Sequence, residues 1–293
     1  MKKKHISLAV SLLFLAYGCT VKTPDSFSEP GFSDQLAAMR ADQIANVNYL
    51  LYVSMPENQS AKIDASLVLE FFMGEVSQPV ILDFHPDESH LLAVFHKGEA
   101  LKYSYTNGHI IIDKKHFEAG QQQLEFHFTI PKTSLLAGEN YLMINPLGQA
   151  DFLAFPAFNQ TDLPASFLLN MEIPANSKAL SNAQILKETE VSGRLSVAFA
   201  KTPLISVDEF SFVVGRLSKV EYNTETKSPD FYFAGNTIPD STRLAQFAAE
   251  FVGHDTLSDS QFGFSRKTDL VLLADLELQE TLYLPGLIYV GNY

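Results

Sequence analysis

Gln123-Leu124-Glu125-Phe126-His127-Phe128-Thr129-Ile130 alternates polar and apolar side chains without a break. Successive residues of a strand point to opposite faces, so this period puts Leu124, Phe126, Phe128 and Ile130 together on one side. The run reads as a half-buried strand. Working outward, Val47–Val53, Ala65–Phe71, Val80–Phe84, His90–Phe95 and Leu101–Tyr105 are short runs of the same character upstream. Asn107-Gly108 is a tight-turn pair leading into His109–Ile112. Downstream come Phe167–Ile173, Leu195–Ala200 and Glu209–Gly215. Frequent strands separated by turn signals predict a mainly β chain, an antiparallel β-sandwich over about residues 40–220. Ser33–Ala45 precedes it as one short predicted helix, with Leu36, Met39 and Ile44 at roughly helical spacing.

The last part of the chain changes character. Asp230–Phe233 is strand-like, and Asp240-Ser241 caps an apolar-periodic helix through Leu244, Phe247, Ala248 and Phe251 that ends near Gly253. Asp269–Leu273 and Gly286–Val290 read as buried strands. Residues 221–293 therefore read as a short, incomplete α+β segment, too small a core for an independent unit.

Composition narrows the function. The 293 residues carry 34 acidic and 21 basic side chains, a formal charge of -13, which argues against a nucleic-acid partner because phosphate binding needs clustered Lys and Arg. One Cys excludes a disulfide framework and every multi-Cys zinc site. At this length about 75 % of the unfolded surface can be buried, so no covalent staple is needed.

That one Cys has a specific setting. Met1-Lys2-Lys3-Lys4-His5 is a basic leader, and the apolar run Ile6–Ala16 is too short to span a bilayer. Leu15-Ala16-Tyr17-Gly18-Cys19 resembles a bacterial lipobox, so residues 1–19 are expected to be a lipoprotein signal and Cys19 the lipidation site. Residues 20–39, rich in Ser, Pro, Asp and Gly at their start, read as a tether. The expected location is a bacterial cell envelope, lipid-anchored and facing the periplasm or the surface.

A family resemblance enters at Phe155-Pro156-Ala157-Phe158-Asn159-Gln160-Thr161-Asp162-Leu163-Pro164-Ala165-Ser166-Phe167. It resembles the Phe-Pro-Cys-Phe-Asp-Gln-Pro-Asp-Leu-Lys-Ala-x-Phe pattern of the aminopeptidase N family of zinc metallopeptidases. Flanking segments agree in order: Pro79–Phe84, Asn107–Ile112, Leu136–Asn140, Ile173–Asn176 with Ala179–Asn182, and Thr202–Ser206 with Phe210–Gly215. The resemblance implies the saddle-like N-terminal β domain of that family over 40–220. It makes 221–293 a partial start of the thermolysin-like catalytic domain.

The departures bear on chemistry. The family holds zinc with His-Glu-x-x-His on a helix plus a later Glu, and no His-Glu-x-x-His occurs in this sequence. Aligning Pro285-Gly286-Leu287-Ile288 with the tail of the family's Gly-x-Met-Glu-Asn motif puts Tyr283 where a Glu binds the peptide α-amine. Glu280 lies nearby as a substitute only if that loop shifts. A second family anchor, Gln-x-Glu, aligns with Asn145 and Leu147. Asn145, Tyr283 and Glu280 are thus vestigial substrate-anchor positions, and Ala157 and Asn159 replace the motif's Cys and Asp. No catalytic residue, metal ligand or cofactor is assigned to this chain; zinc is implied only by the family.

Other constellations read as structural. His85, His90 and His96 with Asp83, Asp87 and Glu88 are taken as a solvated turn between strands rather than a metal site. His254-Asp255 with Ser258 or Ser260 lacks the Gly-x-Ser-x-Gly setting of an activated serine. The 23 Phe and 11 Tyr, often at alternate strand positions, read as core. The sequons at Asn58 and Asn159 carry no information in a bacterial lipoprotein. The expectation is a membrane-tethered, non-catalytic relative of the aminopeptidase N-terminal domain. The alternatives are the front piece of a split aminopeptidase joined to a zinc-binding polypeptide, and a plain surface module that binds peptides or other partners.

Overall fold

The computed structural model describes residues 27, 29–31, 33–57, 62–144, 153–220, 230–234, 240–247, 249, 268–273, 276 and 281–291. Helix α1 (Asp34–Gln43) is followed by β1 (Ile44–Ser54), β2 (Ile63–Met73), β3 (Val80–Asp83), β4 (Leu91–His96), β5 (Glu99–Ala100), β6 (Ser104–Thr106), β7 (His109–Ile112) and β8 (Gly120–Ile130). Then come β9 (Leu135–Ala137), β10 (Tyr141–Ile144), β11 (Ala165–Pro174), β12 (Lys178–Ser181), β13 (Ile185–Val191), β14 (Arg194–Phe199), β15 (Phe212–Gly215) and β16 (Leu217–Val220). The chain continues with β17 (Asp230–Ala234), a helix α2 over 241–247, β18 (Asp269–Leu273), β19 (Leu282–Leu284) and β20 (Leu287–Gly291). Among the described residues no helix is long and apolar enough to cross a membrane.

The chain is mainly β, as its patterning predicts. An eight-stranded sheet runs β13-β14-β11-β1-β2-β8-β4-β5. The alternating strand β8 pairs with β2, with Leu124 opposite Leu69 and Phe126 opposite Leu67, so both apolar sets share one face. Across that face lie a three-stranded sheet, β3-β7-β6, and a four-stranded sheet, β12-β15-β10-β9. One continuous apolar core joins all three. Within it Tyr49 stacks on Phe167 at 4.8 Å and Phe167 on Phe210 at 4.3 Å, with Phe155 edge-on to all three rings. These aromatics are core, not a ligand platform.

The smaller sheets are buried on both sides, and their alternation shows how. Val80 and Leu82 face the main core, whereas Ile81 packs with Ile111 against Leu36 and Met39 of α1. Leu142, Ile144, Phe212 and Val214 also face the main core. Tyr141, Met143 and Val213 point the other way, onto a five-stranded sheet, β16-β17-β18-β20-β19. The far face of that sheet, with Phe231, Phe233, Leu270 and Leu272, is covered by Leu244 and Phe247 of α2. So the small C-terminal segment gains its core by docking on the four-stranded sheet.

Several expectations are adjusted. Ile44 is not in the predicted helix; α1 ends at Gln43 and Ile44 opens β1. The sandwich is not wholly antiparallel: β1 pairs with β11 in parallel, as do β17 with β18 and β18 with β20. Leu101–Tyr103 leaves the expected strand, which divides into β5 and β6. Leu217–Val220 already belongs to the five-stranded sheet. The predicted second helix begins as expected, with Asp240 Oδ1 accepting from Arg243 N at 2.8 Å; Ala248, Phe251 and Gly253 lie outside the described residues.

Candidate functional site

The junction between the four- and five-stranded sheets is built from the motif residues singled out above. Asn182, fully buried just after β12, donates through Nδ2 to Pro285 O at 2.8 Å and to Glu209 O at 2.9 Å. Its Oδ1 accepts from Ser211 N at 2.7 Å. Ser211 Oγ meets Tyr289 OH at 2.8 Å, and burial pushes the Tyr289 phenol well above its ordinary pKa. Gly286 adopts φ +74, and a Cβ there would fall 2.1 Å from Asn182 O, so both the turn and the close approach require glycine. The Ser-Asn and Pro-Gly segments therefore act as one fastening. It fixes the turn between β19 and β20, and hence the position of β19.

β19 is an edge strand, paired only with β20, and it carries Tyr283 opposite Ile288. Tyr283 is exposed. The structure thus places the aligned anchor residue on an open sheet edge, where a phenol stands instead of a carboxylate. Asn145, Leu147, Glu280 and Cys19 lie outside the described residues, as do His254, Ser258, Ser260 and the Asn58 sequon.

The Phe155–Phe167 motif has a different job. Asp83 at the end of β3 and Ala157 exchange both main-chain hydrogen bonds, at 2.7 and 2.9 Å. Asp83 Oδ2 accepts from Asn159 N at 3.0 Å. Arg40 on α1 meets the same carboxylate with Nη2 at 2.9 Å from Oδ1 and Nη1 at 2.8 Å from Oδ2, while its Nε donates to Ile81 O at 3.1 Å. His109 on β7 adds Nδ1 at 2.8 Å from Oδ1. Burial alone would raise the Asp83 pKa, but the Arg40 charge and the hydrogen bonds from His109 and Arg40 outweigh it and hold the carboxyl below its ordinary value. Asp83 is a buried ionic hub that ties α1, two strands and the motif together. Sequence reading found Asp83 and the motif but missed Arg40 and His109, which come from 43 residues before it and 26 after.

The three upstream histidines do not converge. His90 Nδ1 meets Thr129 Oγ1 at 2.7 Å, His96 Nε2 meets Gln122 Oε1 at 3.3 Å, and His85 sits beside the Gly108 turn. His96 is buried rather than in a solvated turn, and burial lowers its pKa. Among the described residues no group of three His, Cys, Asp or Glu side chains could hold a metal ion. An open cleft of about 760 Å³ lies elsewhere, at the ends of β1, β11 and β15, with Glu57, Glu139, Asn176 and Arg216 on its walls. Tyr283 does not line it.

No family model matches the chain, and no curated protein matches it. Solved structures do match in fold. One is the crystal structure of an M1 zinc metallopeptidase from Deinococcus radiodurans, 17% identical, with a TM-score of 0.61 over 85% of this chain. This chain spans 61% of that one. The fold is therefore of the β-rich metallopeptidase kind. The zinc in that protein's title finds no fitting donor set here, since His-Glu-x-x-His is absent from the sequence and no ligand group exists among the described residues.

Proposed function

We propose that this chain is a relative of the aminopeptidase N-terminal β domain that does not catalyse peptide hydrolysis by itself and acts at a membrane, where Cys19 carries a lipid. The observation that supports it most is the pairing of a fastened edge strand with a missing metal motif. Asn182 and Gly286 hold β19 in place on the sheet. The side chain at the anchor position is Tyr283, and no His-Glu-x-x-His accompanies it. A neutral phenol cannot ion-pair with a peptide α-amine, so exopeptidase recognition is lost together with the Lewis acid. What remains is a tethered scaffold whose open edge offers main-chain donors and acceptors to an extended peptide or a partner.

A second reading is favoured by that same edge. β19 has a neighbour on one side only, and a separate zinc-binding polypeptide could cover it to complete a two-chain aminopeptidase. Isolation of the chain from its native membrane separates the readings. The first expects the chain labelled by palmitate, membrane-bound, released by Cys19→Ser, and free of a stoichiometric His-Glu-x-x-His protein. A co-purifying protein of that kind with chelator-sensitive aminopeptidase activity establishes the second. A chain that fractionates as soluble and unlabelled overturns the lipid anchor.

A further inference from the structure

His109 is completely buried at the start of β7, and both of its ring nitrogens face acceptors. Nε2 lies 2.8 Å from the main-chain oxygen of Glu29. A carbonyl can only accept, so Nε2 carries a hydrogen. Nδ1 lies 2.8 Å from Asp83 Oδ1, in a carboxylate kept ionised by Arg40, so Nδ1 carries a hydrogen as well. A ring that donates from both nitrogens is an imidazolium. The Glu29 contact belongs to the segment before α1. Phe27 in that segment packs on the apolar patch of Leu36, Met39, Ile81 and Ile111. The segment is thus held at two points, one apolar and one dependent on charge.

We propose that His109 is a pH-operated latch: its imidazolium docks the Phe27–Gly31 segment onto the β domain, and loss of one proton releases it. The neutral ring keeps one hydrogen. Asp83 retains it, because a carboxylate is the stronger acceptor. Nε2 then presents a lone pair to the Glu29 carbonyl, two acceptors face each other, and the contact turns repulsive. The groups around the ring are Asp83 from β3 and Arg40 from α1, with His85 beside the neighbouring Gly108 turn and Tyr105 of β6 bonded to Phe84 O and Pro86 O. Burial and the Arg40 charge work against the imidazolium; the hydrogen bonds to Asp83 and Glu29 and the Asp83 charge prevail, so the His109 pKa lies above its ordinary value. Each unit of that rise corresponds to a tenfold preference of the docked segment for the charged ring. Under the lipid-anchor reading, release of Phe27–Ser33 adds roughly 20 Å of reach between lipid and domain; the latch itself does not rest on that reading.

The chain has no Trp, so Phe27→Trp in the full chain gives a single reporter of docking. Its emission is expected at short wavelength at pH 5.5. It should move to long wavelength by pH 9 in a one-proton step with a midpoint above 6.5, while far-UV circular dichroism stays constant. In Phe27→Trp, His109→Gln the step disappears. A constant emission across the range, the same step in the His109→Gln background, or a step that coincides with global unfolding overturns the latch. Nitrogen-15 spectroscopy of the unmutated full chain provides the second readout. The His109 ring should carry both hydrogens at pH 6, and a neutral tautomer at that pH refutes the proposal.

Discussion

Asn182→Ala is the sharpest perturbation of the junction. The side chain is fully buried and serves three main-chain groups: Ser211 N, Pro285 O and Glu209 O. Truncation leaves all three without that partner, in a site too tight for water to enter freely, as the Gly286 approach to Asn182 indicates. A buried group left unpaired costs about 1–3 kcal/mol. The Ser211 amide has one hydrogen and loses its bond outright, whereas each carbonyl has a second lone pair and loses less. The expected total is about 3–5 kcal/mol, or roughly 10 °C in melting temperature at about 2–4 °C per kcal/mol. Differential scanning calorimetry reads the loss. Hydrogen exchange reads its location, because Asp269 N, which bonds Gly286 O, should lose protection before amides of β2 and β8 do. Asn182→Asp is a useful control. It keeps the acceptor for Ser211 N but sets an oxygen against the Pro285 and Glu209 carbonyls, so it should be no more stable than Ala. A loss below about 1 kcal/mol in both variants would refute the claim that this side chain fastens the two sheets.

Three further outcomes follow from the same geometry. Gly286→Ala meets Asn182 O and a left-handed backbone together, so it should destabilise by more than about 1 kcal/mol in a thermal melt. Tyr289→Phe should cost about 1 kcal/mol, and the Tyr289→Phe, Ser211→Ala pair less than the sum of the two single changes, in a double-mutant cycle by urea unfolding. Stability against pH should show two limbs. His109 has a raised folded pKa, so its contribution is complete below about pH 6.5 and is lost as pH rises through the folded value. Asp83 has a lowered one, so its contribution is complete above about pH 3.8 and is lost as pH falls through the folded value. Melting temperatures across pH 3–9 should peak between those limits, and His109→Gln should remove the alkaline limb alone.

How far the sequence discloses this molecule depends on what each strand faces. β1, β2, β8 and β11 alternate because one face is covered by the main core and the other is open, and each was readable by its period. β13 was not: all of Ile185–Val191 is exposed, so nothing imposes alternation on it. β10 fails for the opposite reason. Tyr141–Ile144 is buried on both faces between two sheets, and four residues without a period do not announce a strand. The parallel pairing of β1 with β11 joins residues more than a hundred positions apart, and no local signal reports it. The site divides likewise. The Ser-Asn and Pro-Gly segments stood out as patterns, but that Asn182 reaches Pro285 required the docked sheets. Arg40 reads as an ordinary helix cation until β3 is placed beneath it.

The account's central claim is that these residues supply a fastened β scaffold and no metal centre of their own. The most direct measurement is on the purified full chain: zinc content after equilibration with excess zinc and gel filtration, with hydrolysis of aminoacyl-p-nitroanilides followed in the same samples. The account predicts no stoichiometric zinc and no zinc-dependent turnover. One zinc per chain with chelator-sensitive release of nitroaniline would contradict it.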